Sequence, residues 1–335
     1  MSSGFAKDVS VLVPGRGEIF HAQTVEDVLA HAKADTEVIA ILDGEWPPAR
    51  GIQDHPRVKV VKTTTPIGQR AATNLGAQMS RAKYIMKLDA HCRMDDGFDV
   101  KMMELMQPDW TMIPQMYRLH AFDWCCNNCG HGTYQGSKPE KCEQCGEDDL
   151  YMKLVWEPKW KVGPTVSWRF DANLRMQYWT AHRLRPSVRK QMNRERVVET
   201  PICVGCCFLM ERERFWKLGG MDEEHGSWGQ YGFELGAKAW LSGGKMVTNM
   251  RTWFAHLFRT GQFSRNGEST FPYPLSGNEQ EAARTYSRNL WLNNRWEKQK
   301  YPLSWLLERF WPIPGWDDND LKQQKERERG FVPAK

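Results

Sequence analysis

The chain has 335 residues and a formal net charge of +5, with 46 Lys and Arg residues against 41 Asp and Glu residues. About 41% hydrophobic and 26% charged residues are typical of a soluble globular protein and exclude a disordered or fibrous chain. A mildly basic balance suits an anionic substrate but is weak evidence for nucleic-acid binding. Since there is no long apolar run and no apolar signal core near the N-terminus, we expect no membrane segment and a cytosolic (cytoplasmic) protein.

The first part of the chain alternates strand and helix patterns. Apolar runs predict strands and amphipathic spacings predict helices: strands at 9–14, 37–44, 58–62 and 82–89, helices at 24–34 and 69–82. This alternation predicts an α/β domain with a mainly parallel, Rossmann-like sheet and right-handed crossovers. We assign residues 8–120 to its nucleotide-binding half.

The composition then changes several times along the chain. Residues 121–150 are polar and Cys-rich, which indicates a small insertion. Residues 151–262 return to an α/β pattern and form the second half of the domain. Residues 263–335 contain a loop, a helical run and the charged stretch KQQKERERG, so we predict a helical C-terminal extension whose end is either a solvated helix or disordered.

The sequence KLDAHC places Asp89 and His91 directly after a buried strand. In extended chain, residues i and i+2 point the same way, so both side chains converge just beyond the strand end. That edge of an open α/β sheet is where ligands bind. One carboxylate and one imidazole suit a divalent metal such as Mn²⁺. Alone, the motif is equally explained by a turn-capping Asp and an exposed His.

Two longer segments carry a family resemblance. The first, GQRAATNLG followed by a strand and LDAHC, resembles the family 2-type glycosyltransferases with the GT-A fold, and D-x-H resembles the polypeptide N-acetylgalactosaminyltransferases in particular. The second, residues 227–259, is similar to that family's W-G-G-E-N-x-E-L…H-V-F-R segment. The matching residues are Trp228, Gly229, Glu234, Leu235, Trp240, Gly243, Gly244, His256, Phe258 and Arg259. The resemblance covers residues 8–120 and 165–262.

The resemblance implies a metal-dependent transfer from a UDP-sugar. Asp89, His91 and His256 would hold Mn²⁺ (or Mg²⁺), which acts as a Lewis acid on the diphosphate leaving group. His256 would otherwise be a core histidine. Asp43 would meet the uracil, or be only a strand-end turn residue.

Other residues are assigned to the donor or to catalysis by the same resemblance. The nucleotide-binding candidates are Pro14, Arg16, Gly68, Trp228 and, one position out of register as a diphosphate contact, Arg70. Glu234 is a candidate catalytic residue, although in the family it is more structural.

One departure from the family pattern bears on mechanism. Tyr231 and Gly232 stand where the family has Glu and Asn. An inverting transferase needs a base within reach of the acceptor hydroxyl, and no such carboxylate occurs in this neighbourhood. The pattern therefore favours retention of anomeric configuration and leaves the donor sugar open.

The insertion carries paired Cys-x-x-Cys knuckles, Cys126/Cys129 and Cys142/Cys145. This spacing predicts a zinc ribbon with a closed, structural Cys₄ site. Unliganded thiols are the alternative, and Cys125 or His131 are substitute ligands. A further pair, Cys203 and Cys206, lies in an apolar run and is interpreted as core thiols.

Residues 153–196 are rich in Lys and Arg, with Trp156, Trp160, Trp168 and Trp179 interleaved. Such a strip is typical of nucleic-acid binding, but a solvated helix with core tryptophans explains it equally well. We therefore hypothesise an acceptor in DNA, a hydroxymethylated pyrimidine flipped from the duplex, in a bacterial or viral enzyme. The alternatives are a protein or cell-surface glycan acceptor, and a non-catalytic zinc-dependent nucleic-acid-binding protein. The oligomeric state is left open.

Overall fold

The computed structural model describes residues 6–44, 51–258 and 277–334. The strands are β1 (Lys7–Gly15), β2 (Thr36–Leu42), β3 (Val58–Lys62), β4 (Ala82–Leu88), β5 (Cys92–Met94), β6 (Trp110–Cys126), β7 (Gly132–Tyr134), β8 (Leu150–Pro158), β9 (Trp168–Phe170), β10 (Met176–Tyr178), β11 (Val197–Glu199), β12 (Cys207–Glu211) and β13 (Lys245–His256). The helices are α1 (His21–His31), α2 (Gln69–Met79), α3 (Phe98–Met103), α4 (Pro186–Lys190), α5 (Arg212–Lys217), α6 (Tyr231–Leu241), α7 (Gly277–Trp291), α8 (Leu303–Phe310) and α9 (Asp318–Arg327).

The central sheet has the strand order β11-β13-β6-β12-β4-β1-β2-β3. The four strands from β3 to β4 are parallel, and β13 runs parallel to β6. Only β12 and β11 reverse direction within this order. The predicted α/β class with a mainly parallel sheet is therefore confirmed, and the first four predicted strands lie within one or two residues of their observed positions.

The parallel half of the sheet is covered on both faces. All seven residues of β2 are buried, as expected for a parallel strand between two helical layers. Helix α2 packs very closely on the sheet, because a Cβ on Gly76 would lie only 3.0 Å from Ile41 Cδ1 and 3.2 Å from Leu12 Cδ2. Because β1, β2 and β4 are parallel, their carboxyl ends lie at one edge of the sheet, next to the start of α2.

The insertion is a β-arm rather than an isolated ribbon. Strand β6 continues beyond the sheet and pairs with β8 from Leu119↔Pro158 to Cys126↔Leu150, and with β7 on its other side. The arm therefore begins before the predicted boundary at 120/121 and ends after the one at 150/151. The reason is that β6 is a single 17-residue strand that belongs to both structures.

The C-terminal extension is helical, as predicted. The side chains of Trp291, Leu303, Leu306 and Leu307 are fully buried in the main core. The charged stretch forms the end of α9, whose first turn is closed by a capping box between Asp317 and Asp320, so it is a helix and not disordered. The predicted boundary at 262/263 and the motif residue Arg259 lie outside the described residues.

The Trp-rich stretch is mostly core. Trp156, Trp168 and Trp179 are buried, whereas Trp160 is 53% exposed. Within the part of the chain that the structure describes, no helix is both long enough and apolar enough to cross a lipid bilayer.

Candidate active site

The three predicted metal ligands lie together at the carboxyl edge of the sheet. Asp89 and His91 follow β4, and His256 ends β13, where its pairing with Cys92 of β5 sets it beside the D-x-H turn. His256 Nε2 lies 3.0 Å from His91 Nε2 and 3.1 Å from Asp89 Oδ2. Two ligands bound at right angles, each about 2.1 Å from an ion, are about 3 Å apart. The distances from His256 to His91 and to Asp89 therefore fit neighbouring ligands of one octahedral divalent cation.

Neighbouring polar groups hold these donors in place. His91 Nδ1 is 2.8 Å from Glu18 Oε2; donation to this carboxylate leaves Nε2 with a free lone pair directed at the site. Asp89 Oδ1 accepts from Gln69 Nε2 at 2.9 Å and from Lys87 Nζ. The other carboxylate oxygen, Oδ2, is the one that faces the His256 imidazole.

The protonation states of Asp89 and His256 leave both side chains able to coordinate an ion. Burial lowers the pKa of His256 to about 4, so its imidazole is neutral near pH 7 and able to coordinate. Burial also opposes ionisation of Asp89, but Lys87 and the hydrogen bond from His256 outweigh it and lower the pKa of that carboxyl. Burial opposes the charged form of Lys87 too, and Asp89 raises its pKa in return. An ionised carboxylate and a neutral His256 imidazole are donors that suit Mn²⁺.

A cavity of about 470 Å³ opens over this donor set, a size typical of small-ligand pockets. Its lining includes the predicted nucleotide-binding residues Pro14, Arg16, Asp43, Gly68 and Trp228. Asp43 accepts hydrogen bonds from the backbone N–H groups of Ile67 (2.6 Å) and Gly68 (3.0 Å). Since each carboxylate oxygen has two lone pairs, Asp43 retains acceptor capacity toward the cavity.

Two predicted site residues lie behind the cavity wall. Arg70 and Glu234 are 1% and 0% exposed, and Arg70 Nε donates to Glu234 Oε2 at 2.8 Å. The guanidinium also donates to the carbonyls of Gly226 and Gly229, and Lys238 donates to Glu234 Oε1 at 2.7 Å.

Their placement does not agree with a diphosphate contact for Arg70 or a catalytic role for Glu234. The reason is helical geometry: Gln69 faces the cavity, and the next residue of α2 points about 100° away from it. Both residues instead support the loop 227–230, which forms one wall of the cavity: Arg70 bonds to the loop, and Glu234 holds Arg70 in place.

The departure at Tyr231 and Gly232 has a packing explanation. A Cβ on Gly232 would lie 1.9 Å from the carbonyl oxygen of Cys203, so this contact requires glycine. Tyr231 is buried, and its hydroxyl donates to Thr73 Oγ1 at 3.0 Å. Its ring lies 4.9 Å from the ammonium of Lys87. The substituted pair thus packs against the buried lysine beneath Asp89.

Cys203 and Cys206 are buried, in keeping with their interpretation as core thiols, but both also line the cavity. Cys206 Sγ lies within 4.8 Å of donor atoms of Asp89 and His256. Burial raises the pKa of this thiol well above its usual range. Cys206 lies beside the cation site, in a group whose donor atoms on Asp89, Cys206 and His256 are all within 4.8 Å of one another.

The four cysteines of the arm also converge. The Sγ atoms of Cys126, Cys129, Cys142 and Cys145 all lie within 4.8 Å of one another, with 3.6 Å between Cys126 and Cys145 and between Cys129 and Cys142. Tetrahedral zinc with Zn–S bonds of about 2.3 Å sets its sulfur atoms about 3.8 Å apart. Among the residues described, neither Cys125 nor His131 joins this four-sulfur group.

Each knuckle closes with a glycine in the left-handed region. Gly130 (φ 72°) donates to the carbonyl of Cys126 at 3.0 Å, and Gly146 (φ 79°) donates to that of Cys142 at 2.9 Å. The two turns therefore present their sulfur atoms in the same way, as zinc knuckles do.

Sequence reasoning missed the groups that support the cation site, namely Glu18, Gln69 and Lys87. Of these, only Lys87 leaves a signal in the sequence: it is the second of two lysines in the strand AKYIMKL, at a position with apolar residues on both sides.

Comparison with known proteins agrees with this fold and site. Residues 10–122 match the sequence model of the family described as "Glycosyl transferase family 2". The chain is 24% identical over 234 residues to polypeptide N-acetylgalactosaminyltransferase 8 of Drosophila melanogaster, covering 68% of this chain and 33% of that protein. It is 22% identical over 273 residues to human N-acetylgalactosaminyltransferase 7, covering 80% of this chain and 36% of that protein.

The fold is shared with a solved relative. The structure described as "Crystal structure of GalNAc-T7 with UDP, GalNAc and Mn2+" superposes with a TM-score of 0.58 at 17% identity, covering 97% of this chain and 55% of that one. The fold is thus that of the GT-A class. Residues 10–122 carry the match to glycosyltransferase family 2, and the two curated relatives are named N-acetylgalactosaminyltransferases. The chain spans about a third of the length of those two curated relatives.

Proposed function

We propose that this protein is a divalent-cation-dependent glycosyltransferase that takes its sugar from a UDP-sugar. The observation that carries the proposal is the position of His256 Nε2 at the cavity, 3.0 Å from His91 Nε2 and 3.1 Å from Asp89 Oδ2. Bound there, Mn²⁺ would supply Lewis-acid stabilisation to the diphosphate leaving group. The related GalNAc-T7 structure is described with UDP, GalNAc and Mn²⁺.

The remaining cavity residues would position the donor. Asp43 lies at the end of β2, where its carboxylate can accept the uracil N3–H. Arg16 and Gly68 line the same part of the cavity. The loop 227–230 forms the opposite wall, held from behind by Arg70 and Glu234. These contacts support a bound nucleotide lying between the two walls with its diphosphate over Asp89.

We infer that transfer proceeds with retention of anomeric configuration. The carboxylates among the described residues lining the cavity are Glu18, Asp43 and Asp89. Each is engaged: Glu18 with His91, Asp43 with two backbone N–H groups, and Asp89 with Gln69 and Lys87. A carboxylate poised to deprotonate an acceptor hydroxyl is what an inverting mechanism requires, and these three are committed elsewhere. The anomeric configuration of the product, read by NMR, tests this inference.

For the acceptor we propose a hydroxymethylated pyrimidine in DNA, of the kind that a virus would modify. Exposed basic side chains cluster on α4 and the turns beside it, namely Arg183, Arg189, Lys190, Arg194 and Arg196. Arg175 and Arg284 line the cavity next to the loop 227–230. These charges favour an anionic acceptor over a neutral one. The alternative, a polypeptide hydroxyl, is favoured by the names of the relatives.

One experiment separates these acceptors and tests the activity itself. The protein would be incubated with Mn²⁺, a panel of UDP-sugars, and oligonucleotides containing 5-hydroxymethylcytosine or cytosine, alongside Ser/Thr peptides. The expected product is the hydroxymethylated oligonucleotide heavier by one sugar residue, absent with Asp89→Asn. Glycosylated peptide instead would replace the DNA proposal with the polypeptide one. Neither product, and no UDP-sugar hydrolysis, would overturn the enzymatic proposal and leave a non-catalytic zinc-dependent nucleic-acid-binding protein.

We also propose that Cys126, Cys129, Cys142 and Cys145 hold a structural Zn²⁺. The sulfur spacing and the paired glycine knuckles support it. A four-sulfur shell leaves no open coordination position, so this ion would stabilise the arm and take no part in transfer.

A further inference from the structure

Lys87 is a charged side chain buried at the centre of the molecule. It lies near the end of β4, with Leu12 of β1 on one side and Phe208 of β12 on the other, and it is 0% exposed. Its ammonium contacts Asp89 Oδ1, donates to the Gly205 carbonyl at 3.0 Å, and lies 4.9 Å from the ring of Tyr231. Burying an ammonium costs free energy unless it is paired with an anion, so Lys87 is expected to have a specific role toward its partner.

The partner of Lys87 is the one carboxylate of the predicted cation-binding set. Asp89 gives one oxygen to the ammonium and turns the other toward His256. The lysine therefore cancels the negative charge that a divalent ion would use. Glu18, another carboxylate of the cavity lining, is bonded to Nδ1 of His91, whereas Nε2 is the ring nitrogen that faces His256.

A fixed positive charge on one oxygen of a carboxylate repels a dication on the other oxygen. The same charge attracts the diphosphate of a nucleotide. A site with this arrangement is poor at holding a free metal ion and good at holding a metal ion together with an anionic ligand.

We propose that Lys87 is an internal counter-cation to Asp89, which keeps the affinity for free divalent ion low and makes ion binding depend on the nucleotide diphosphate. The proposal deepens the proposed function and rests on its cation site. Lys87 acts through Asp89 and does not line the cavity, so it sets the affinity of the site without touching the reacting atoms.

The alternative is that Lys87 merely orients Asp89. The two roles predict opposite changes when the charge is removed. Loss of an orienting group weakens metal binding by about 10- to 100-fold, whereas loss of a repelling charge strengthens it. Gln69 Nε2 also holds Asp89 Oδ1, at 2.9 Å, so the carboxylate keeps one orienting contact in a Lys87 variant, and the charge effect should dominate.

The experiment compares Lys87→Gln and Lys87→Met with the unmodified protein. Gln keeps a donor for Asp89 and Gly205 without the charge; Met fills the space of the side chain without either. Free Mn²⁺ is measured by EPR during titration, with and without UDP, and UDP binding is measured by calorimetry without metal. Lys101→Gln is the matched control, since Lys101 also pairs with an aspartate, Asp95, at 2.7 Å, but Asp95 does not line the cavity as Asp89 does.

Both Lys87 variants should bind Mn²⁺ without UDP at least about tenfold more tightly than the unmodified protein, and bind metal-free UDP several-fold more weakly. Lys101→Gln should change neither affinity by more than about twofold. Unchanged or weaker Mn²⁺ binding by Lys87→Gln overturns the counter-cation role. If the unmodified protein binds no Mn²⁺ even with UDP, the proposed function itself fails, and this outcome is distinct from the first.

Discussion

The two candidate metal sites of this chain are built in opposite ways. Asp89 directly follows β4, and His256 is the last residue of β13. The residue before each of them, Leu88 or Ala255, is fully buried in a hydrophobic cluster. The four cysteines lie at the tip of an arm whose local buried cluster consists of Cys126, Cys142 and Leu150. The first geometry is therefore imposed by the fold, with or without an ion. The second has almost no apolar core to impose it, and its ligands themselves make up most of that cluster.

This contrast teaches where a metal contributes folding energy and where it contributes chemistry. A site set in a core is preorganised, so the ion adds charge to an arrangement that already exists. A site without a core needs the ion to hold the chain together, and the binding free energy becomes folding free energy. The predictions below test this distinction.

The largest effect is expected from removing zinc from the arm. Chelation, or Cys142→Ser, should cost the arm most of the roughly 10 kcal/mol or more that a structural zinc site supplies. Hydrogen–deuterium exchange should then show fast exchange in residues 126–150 and unchanged protection in β1, β2 and β4. Loss of protection throughout the sheet would contradict the separation of the two regions.

The next effect concerns the cation site. Asp89→Asn should reduce Mn²⁺-dependent UDP-sugar turnover by about a thousandfold or more, because the carboxylate proposed to bind the ion is lost. The variant should also be less stable by about 3 kcal/mol, since Lys87 is left buried without its partner. Urea denaturation should show that adding Lys87→Met restores stability while turnover stays lost. Turnover close to that of the unmodified protein would exclude Asp89 as a ligand.

A smaller effect is expected from Glu18, which contacts the proposed ligand His91 and not the ion itself. Glu18→Gln keeps a hydrogen-bond acceptor for His91 but removes its charge, and should weaken Mn²⁺ binding in the presence of UDP by about tenfold. Titration calorimetry measures this change. Because the core holds the ring, the melting temperature should shift little; a large loss of stability would mean that Glu18 is structural.

The smallest effect is a pH dependence within the core. Burial lowers the pKa of His182 to about 4 from an ordinary value of 6.5; its ring stacks on Trp179, and its Nδ1 lies 2.8 Å from Ser167 Oγ. The unfolded chain binds a proton below about pH 6.5 and the folded chain does not, so folding stability is full above that pH and falls as the pH drops toward 4.

Between pH 7.5 and 5.5 this histidine should lower the free energy of unfolding by about 1 kcal/mol. His182→Asn, which keeps an acceptor for Ser167, should remove that part of the pH dependence in urea titrations at the two pH values. An identical pH dependence in the variant would show that the pKa of His182 is the same in the folded and the unfolded chain.

The sequence predicted those parts of the molecule that depend on local pattern. The strands β1 to β4 have apolar runs bounded by turn residues, and their positions follow from periodicity alone. The D-x-H turn, the late histidine and the four cysteines were found by motif. They meet in space because parallel strands end at one edge of a sheet and because β6 and β8 are antiparallel neighbours.

The parts that the sequence did not predict depend on which way a side chain points. Arg70 and Gln69 are adjacent in α2, and only the fold decides that the glutamine faces the cavity and the arginine pairs with Glu234. Glu18 reaches His91 across 73 positions of sequence. The burial of Lys87 depends on Tyr231, a residue that the family pattern had marked only as a mismatch.

The most direct test of the cation site is anomalous diffraction at the manganese edge from crystals grown with UDP and MnCl₂. The structure predicts one Mn²⁺ peak bonded to Asp89 Oδ2, His91 Nε2 and His256 Nε2, with the remaining positions filled by diphosphate oxygens. UDP bound in the cavity with no manganese between these three side chains, or with the ion held elsewhere, would contradict it.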